Sequence, residues 1–303
     1  MEKEVTILTG EPTVEIIAAM KLRPVGIEAM MHWVGTHRPE CLPDDPEDQS
    51  WRSLFPHSLE EATPNDNDSM VAQTRALTDN ELLVELAGRL CYHSFGKKAG
   101  KKSNKEYIAN TQQGDIPHSS ITYHAKLVFF FGGISRRVSH ELIRNYVGAD
   151  RTEEGAPSQE STRFTHHYGF FIEPPKYSSE EFDYAGAVHR RMMSNHFKES
   201  MQVAYDNYLA AVDTECAAFE VLHKKKPTSL DKKRIYEAAS SFLPHQAETS
   251  FLWSTNVAAI AKLVRERANN AADLEIQRFA RKLRRVAVDE CPNLFPQSFM
   301  HEG

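Results

Sequence analysis

Lys126–Tyr146 reads KLVFFFGGISRRVSHELIRNY, an apolar run that passes without a linker into an amphipathic helix pattern. Lys126 to Phe131 predicts a short, largely buried strand, with Gly132-Gly133 as its expected end. Ser135 stands where a helix N-cap belongs, because its hydroxyl accepts from the unpaired amides of a first turn. Val138, Leu142 and Tyr146 then recur along one face of a helix over Arg136 to Tyr146. Arg137, Glu141 and Arg144 share another face, two guanidinium groups around one carboxylate. A polar loop follows, ending in Ser158-Gln159-Glu160-Ser161-Thr162-Arg163-Phe164, and then an apolar strand from Tyr168 to Ile172. This order brings Arg144, Ser161 and Arg163 towards one sheet edge. Hydroxyl plus guanidinium is phosphate-binding chemistry, since the planar fork offers paired charge-assisted hydrogen bonds. The alternative is a surface ion-pair network.

Upstream, Glu4 to Leu8 predicts a first strand, and Val14 to Met20 and Gly26 to Trp33 read as short helices. Residues 36–68 are rich in proline and acids and read as a surface excursion anchored by Trp51, Leu54 and Phe55. Thr78-Asp79-Asn80-Glu81 opens a helix with Leu82, Leu86 and Leu90 as its stripe. Lys97, Lys98, Lys101 and Lys102 mark a basic loop, either a solvated turn or an element that steers anions. Downstream, Ala185 to Phe219 and Leu230 to Phe242 are helical, and Thr249 to Asn256 is apolar and aromatic. Two helices follow between Val257 and Val288. In the first, Ile260, Leu263 and Val264 form a stripe whose next position is Arg267. A cation continuing a buried face needs an anion, or must reach water along its own stem. In the second, Ile276, Phe279, Ala280, Leu283, Val286 and Ala287 are the core stripe.

The chain has 303 residues, 41% of them apolar, enough for a sizeable core. Its formal charge of -6 argues against a general nucleic-acid binder while leaving room for a local anion pocket. Cys41, Cys91, Cys216 and Cys291 are far apart, as in a reducing compartment. No apolar run approaches a membrane span and no signal-peptide pattern opens the chain, so a soluble cytoplasmic protein is expected. There is no GxGxxG, Walker loop, GxSxG or HExxH. The spacings of His118, His124, His140, His166 and His167 match no ligand set, so no metal is expected. The expectation is one α/β (α+β) domain over 1–303, a central sheet with flanking helices. Its candidate pocket combines Arg144, Ser161, Arg163 and Arg267 with Tyr146, Phe164 and Tyr168, groups that suit a nucleotide.

These residues resemble the flavin-dependent thymidylate synthase family, in the family's order from about Leu86 to Phe295. The motifs are Arg89-Leu90-Cys91-Tyr92, then His118, Ser120 and His124, then the helix from Ser135-Arg136 to Arg144, then Ser161, Arg163 and Phe164. Leu243-Pro244, Thr249, Trp253-Ser254-Thr255-Asn256, Arg267, Glu275-Ile276 and Cys291-Pro292 complete the series. The resemblance implies a homotetramer whose sites lie where subunits meet. It also implies FAD, dUMP, methylenetetrahydrofolate and NADPH, and reductive methylation of uracil C5 to give dTMP without a cysteine nucleophile. By motif position Ser161 and Arg163 would hold the nucleotide phosphate, and Glu141 would lie beside the nucleotide. Arg267 would face the pyrimidine and stabilise charge developing on the ring oxygens. His118, Ser120, Arg144, Asn145, Tyr146 and Asn256 would line the flavin site.

The chain departs from the family at its signature. Where arginine-histidine-arginine is expected it has Arg144-Asn145-Tyr146, and fourteen residues separate this from Ser161. Tyr123 replaces a glutamate, Glu141 a glutamine, Ala258 an arginine after Asn256, and Ser240 an arginine before Pro244. Three readings remain open: the family reaction on dUMP, a C5 modification of another pyrimidine nucleotide such as UMP, and a non-catalytic nucleotide-binding paralogue.

Overall fold

The computed structural model describes residues 4–38, 60–63, 73–95, 102–112, 118–146, 156–180 and 186–295. In chain order the first half holds β1 (Thr6–Leu8), β2 (Thr13–Ala19), α1 (Pro24–His37), β3 (Glu60–Thr63), β4 (Gln73–Ala76), α2 (Asp79–Tyr92) and α3 (Asn104–Gln112). Next come β5 (Lys126–Ser135), α4 (Arg136–Tyr146), β6 (Ala156–Gln159), β7 (Phe170–Ile172) and α5 (Pro175–Ser178). The last part holds α6 (Gly186–His223), α7 (Ser229–Ala239), β8 (Glu248–Asn256), α8 (Val257–Arg267) and α9 (Leu274–Glu290). Among the described residues no helix is long and apolar enough to cross a membrane.

The main sheet has the order β2-β5-β8-β6, with every neighbouring pair antiparallel. Leu127, Phe129 and Phe131 alternate inward along β5, as a strand with one buried face requires. They meet Phe251 and Trp253 of β8, Ile260 and Leu263 of α8, and Phe279 and Leu283 of α9 in one core, which Val138 and Leu142 of α4 join. Fully burying side chains of this size contributes roughly 1.5–3 kcal/mol each relative to exposure. A parallel pair, β1 with β7, forms a second sheet beside a separate core of Phe171, Tyr205, Tyr208 and Ile235.

The structure corrects the sequence expectations in four places. The glycine pair does not end β5: the strand runs on to Ser135 through a register shift between Phe131 and Ile134. Gly133 takes φ +66°, a left-handed conformation that glycine adopts without strain, so the pair marks a bulge. Val14 to Met20 is not helical, because Thr13–Ala19 pairs along the edge of β5 with Val14 turned into the core. That edge offers the backbone ladder hydrogen bonds to the short β-branched segment, which a lone helix of its length would not match. Ala156–Gln159, read as loop, is an edge strand on β8, a place where Pro157 is tolerated. The expected strand from Tyr168 begins only at Phe170 and belongs to the second sheet. Of the excursion over 36–68, only Thr36–Arg38 and the strand Glu60–Thr63, paired with β4, lie within the described residues. Lys97, Lys98 and Lys101 lie outside them.

Helix starts follow local chemistry. Thr78 caps α2 in a full capping box with Glu81, and Thr228 caps α7 in the same way with Asp231. Within α2, Arg89 donates from Nε to Glu85 Oε1 at 2.6 Å and from Nη1 to the Ser94 carbonyl at 2.8 Å. Asn104 donates to Glu85 Oε2 at 2.7 Å, and Asn293 donates to Asn104 at 3.0 Å. The Arg89 guanidinium also lies over the Tyr107 ring, 4.5 Å from its centre. This buried network ties α2 to α3 and to the turn after α9.

Candidate functional site

α4 and α8 leave opposite ends of the β5–β8 pair, because Ser135 is registered with Glu248 and Lys126 with Asn256. α4 starts under firm control. Ser135 Oγ accepts from the Val138 amide at 3.2 Å as an N-cap, while its own N–H and hydroxyl both donate to buried Glu275 at 2.8 Å. Burial raises the Glu275 carboxyl above the ordinary range, and its bonds from Ser135 oppose that shift. α8 is capped by Asn256, whose side chain accepts from the Ala259 amide at 2.9 Å.

The two helices are joined by an ion pair. Arg267 Nε lies 2.8 Å from Glu141 Oε1, and the two side chains are 25% and 30% exposed. This is the anion that the apolar stripe of α8 requires. Arg267 also sits in the last turn of its helix, where backbone carbonyls favour a cation. Arg137 does not share Glu141, as the helix face predicted. It pairs with Asp273, the cap of α9, at 2.5 Å. Arg144 is exposed one turn beyond Glu141, and the side chains of Asn145 and Tyr146 lie outside the described residues.

Ser161 and Arg163 follow β6 in a tight turn, with the Arg163 amide donating to Ser161 Oγ at 3.3 Å. Glu160 N–H donates to the Ser250 carbonyl at 3.0 Å, which fixes this turn near the Glu248 end of β8. The α4 arginine that reaches it is Arg136, whose Nη2 donates to the Glu160 carbonyl at 2.9 Å. Arg144 lies eight residues further along α4, about 12 Å at the helical rise. Within one chain Arg144 therefore does not join Ser161 and Arg163 as the strand order suggested. Arg163 Nε instead lies 3.2 Å from Glu237 Oε2 of α7, and Lys233 of α7 lies 4.5 Å from the centre of the Phe164 ring.

Burial lowers the Arg136 pKa, against the raising effect of Glu160 and Glu248 nearby. Burial raises the Glu248 carboxyl, although the Gly133 amide and Arg136 pull it back down. Burial also holds His167 down to about 4, with Arg136 and then His166 adding to the effect. Glu237, Glu160 and Arg136 were missed by reading motifs alone. Arg136 stood inside the Ser135-Arg136 element, but nothing in the sequence connects Glu237 to a residue 74 positions earlier.

His118, Ser120 and Asn256 lie at the opposite end of β8, whereas Arg144 stays on α4. His118 precedes a 3-10 turn over Ser119–His124 that leads into β5 beside Asn256. His118 Nδ1 lies 3.1 Å from the Tyr92 hydroxyl, both at the surface, and Ser120 is exposed. The Tyr92 hydroxyl and ring, the His118 imidazole and the Ser120 hydroxyl form a set that suits an aromatic, hydrogen-bonding ligand. From Ser250 to Asn256 is about 20 Å at the strand rise, longer than one nucleotide. Cys291 is buried, and burial pushes its thiol up to about 12, so it stays protonated at neutral pH and is no nucleophile. Among the described residues no group of three or more His, Cys, Asp or Glu is placed to hold a metal.

The model of the family described as Thymidylate synthase complementing protein matches residues 70–293. A flavin-dependent thymidylate synthase of Mycolicibacterium vanbaalenii is 30% identical over 217 residues, 70% of this chain and 77% of that protein. The enzyme of the same name from Corynebacterium aurimucosum is 26% identical over 219 residues, 72% of this chain and 80% of that protein. In fold, the chain is similar to a UMP/dUMP methylase, PolB, from Streptomyces cacaoi, solved with 5-Br UMP. That likeness has a TM-score of 0.58 at 12% identity and covers 99% of this chain and 98% of that one.

Proposed function

Because the chain belongs to the thymidylate synthase complementing protein family, we propose that it is a flavin-dependent methyltransferase that converts dUMP to dTMP. Methylenetetrahydrofolate is the one-carbon donor and NADPH the reductant in this reading. The observation that carries it is the half-open Arg267–Glu141 pair, a guanidinium and a carboxylate held together where α4 and α8 meet.

Arg267 faces the pyrimidine. Negative charge develops on the ring oxygens when C5 acts as a nucleophile, and a fixed cation there stabilises that charge more than it stabilises the resting ring. Glu141 holds the guanidinium in place and offers an acceptor for the ring N–H. Ser161 and Arg163 hold the phosphate through a hydroxyl and a planar fork. His118, Ser120, Arg144, Asn145, Tyr146 and Asn256 line the flavin site, Asn256 by fixing the start of α8. These residues would hold a flavin, which would supply the hydride equivalent that the reductive methylation needs, with NADPH as its reductant.

The Ser161 turn and the His118–Ser120 segment of one chain lie at opposite ends of β8, about 20 Å apart. This span supports a site completed by a neighbouring subunit, within a homotetramer that works in the cytoplasm. The test is to assay the purified full chain with dUMP, methylenetetrahydrofolate, NADPH and FAD and to measure dTMP and tritium release from C5. Release with dUMP supports the reading. Release only with UMP moves the substrate to the ribonucleotide, as in the name of the UMP/dUMP methylase of similar fold. Flavin and nucleotide binding without release from either nucleotide leaves the paralogue reading.

A further inference from the structure

Resting on the functional reading above, we propose that Glu237 limits the anion at Ser161 and Arg163 to a single phosphate. The chain then accepts nucleoside monophosphates and rejects di- and triphosphates. Arg163 Nε lies 3.2 Å from Glu237 Oε2, with the two side chains 51% and 52% exposed. One edge of the guanidinium therefore carries a carboxylate before any ligand arrives. A guanidinium has five donors, so a phosphate can still engage the fork, but it does so beside Glu237.

The surroundings offer little to balance further charge. Arg136 is faced by Glu160 and Glu248, and Lys233 is drawn over the Phe164 ring. At position 240, where the family resemblance places an arginine, Ser240 has only a hydroxyl, and it donates to the Glu237 carbonyl at 2.8 Å. Of the cations near this turn, Arg163 is thus paired with Glu237, Arg136 is faced by Glu160 and Glu248, and Lys233 lies over the Phe164 ring. A first phosphate gains the short-range bonds of Ser161 and Arg163. A second or third extends past Arg163 into carboxylates, and like charges brought together without a counter-cation repel.

Glu237 is not placed there by chance motion of a loop. It rides on α7, which is capped by Thr228 and anchored by buried Ile235 and Ala239. Its backbone is therefore fixed by the helix, which keeps the carboxylate within reach of Arg163.

The experiment is calorimetric titration of dUMP, dUDP and dUTP into the full-length protein and into Glu237→Gln. The amide has the same shape, and the site is half exposed, so the variant folds. We expect the natural protein to bind dUMP at least about tenfold tighter than dUTP. In Glu237→Gln that gap falls to about threefold or less, and dUMP itself tightens by up to about fivefold. Equal binding of dUMP and dUTP by the natural protein, or an unchanged gap in the variant, overturns the proposal while leaving the nucleotide reading intact. Binding of none of the three nucleotides to either protein overturns that reading and this inference with it.

Discussion

The Glu85–Arg89 pair of α2 and the Glu141–Arg267 pair between α4 and α8 have similar nitrogen-to-oxygen distances, 2.6 Å and 2.8 Å. Their surroundings differ. Glu85 and Arg89 are 0% and 1% exposed, while Arg267 and Glu141 are 25% and 30% exposed. The first pair is one turn apart on a single helix. It is closed on its other sides by the Ser94 carbonyl, Asn104 and the Tyr107 ring. The second joins helices distant in sequence and keeps a face to solvent. A charged pair wholly surrounded by protein partners has nothing left for a ligand, and it serves the fold. A pair held only in part has a fixed charge that a substrate can still meet.

That difference predicts opposite results from the same substitution. Arg89→Ala leaves Glu85 buried without its cation, which costs about 3–5 kcal/mol and approaches the whole stability of an ordinary domain. Urea unfolding measures it, and a loss below about 1 kcal/mol would show that the network relaxes and that the buried pair is not structural. Arg267→Ala leaves Glu141 partly hydrated, so unfolding should shift by only about 1 kcal/mol. Its turnover should fall by about a hundredfold to a thousandfold, as for loss of a charge-stabilising donor. An unfolded Arg267→Ala protein would place the second pair in the same class as the first.

A smaller effect is expected at His167, which packs among Phe171, Tyr205 and Tyr208. Its Nδ1 accepts from the Gly169 amide at 3.1 Å, and burial holds its pKa down to about 4. The unfolded chain takes up this proton near pH 6.5 and the folded chain only near 4, so the unfolded state binds more protons between those values. The stability that depends on neutral His167 is complete above about pH 6.5 and is lost as pH falls towards about 4. Urea midpoints measured across that window should drop in the natural protein and drop less in His167→Gln. Parallel curves would mean that other groups carry the acid sensitivity.

How much of this was legible in the sequence depends on how local each feature is. The capping box at Thr78, the N-cap at Ser135, the bounds of α4 and the core stripes of α8 and α9 were all readable, and so was the family order from Arg89 to Cys291. Arg267 was singled out because it continued a buried stripe and so needed an anion. The anion itself, Glu141, was assigned instead to Arg137 and Arg144 on its own helix. β2 was misread because its pattern is short and its partner lies more than a hundred residues away.

Taken alone, then, the amino-acid sequence determined most of the helices from Thr78 onward, their apolar faces and the family to which the motifs belong. Each of these follows from side chains a few residues apart, whose spacing sets a helix face or a cap. Tertiary structure alone decided that β2 and β6 complete the sheet, that Arg137 turns to Asp273, that Arg163 turns to Glu237 and that Glu141 turns to Arg267. A cation pairs with whichever carboxylate the folded backbone brings within reach, and a strand pairs with whichever edge is open to it. Coulomb attraction and ladder hydrogen bonds act through distance in space, and only the fold sets that distance.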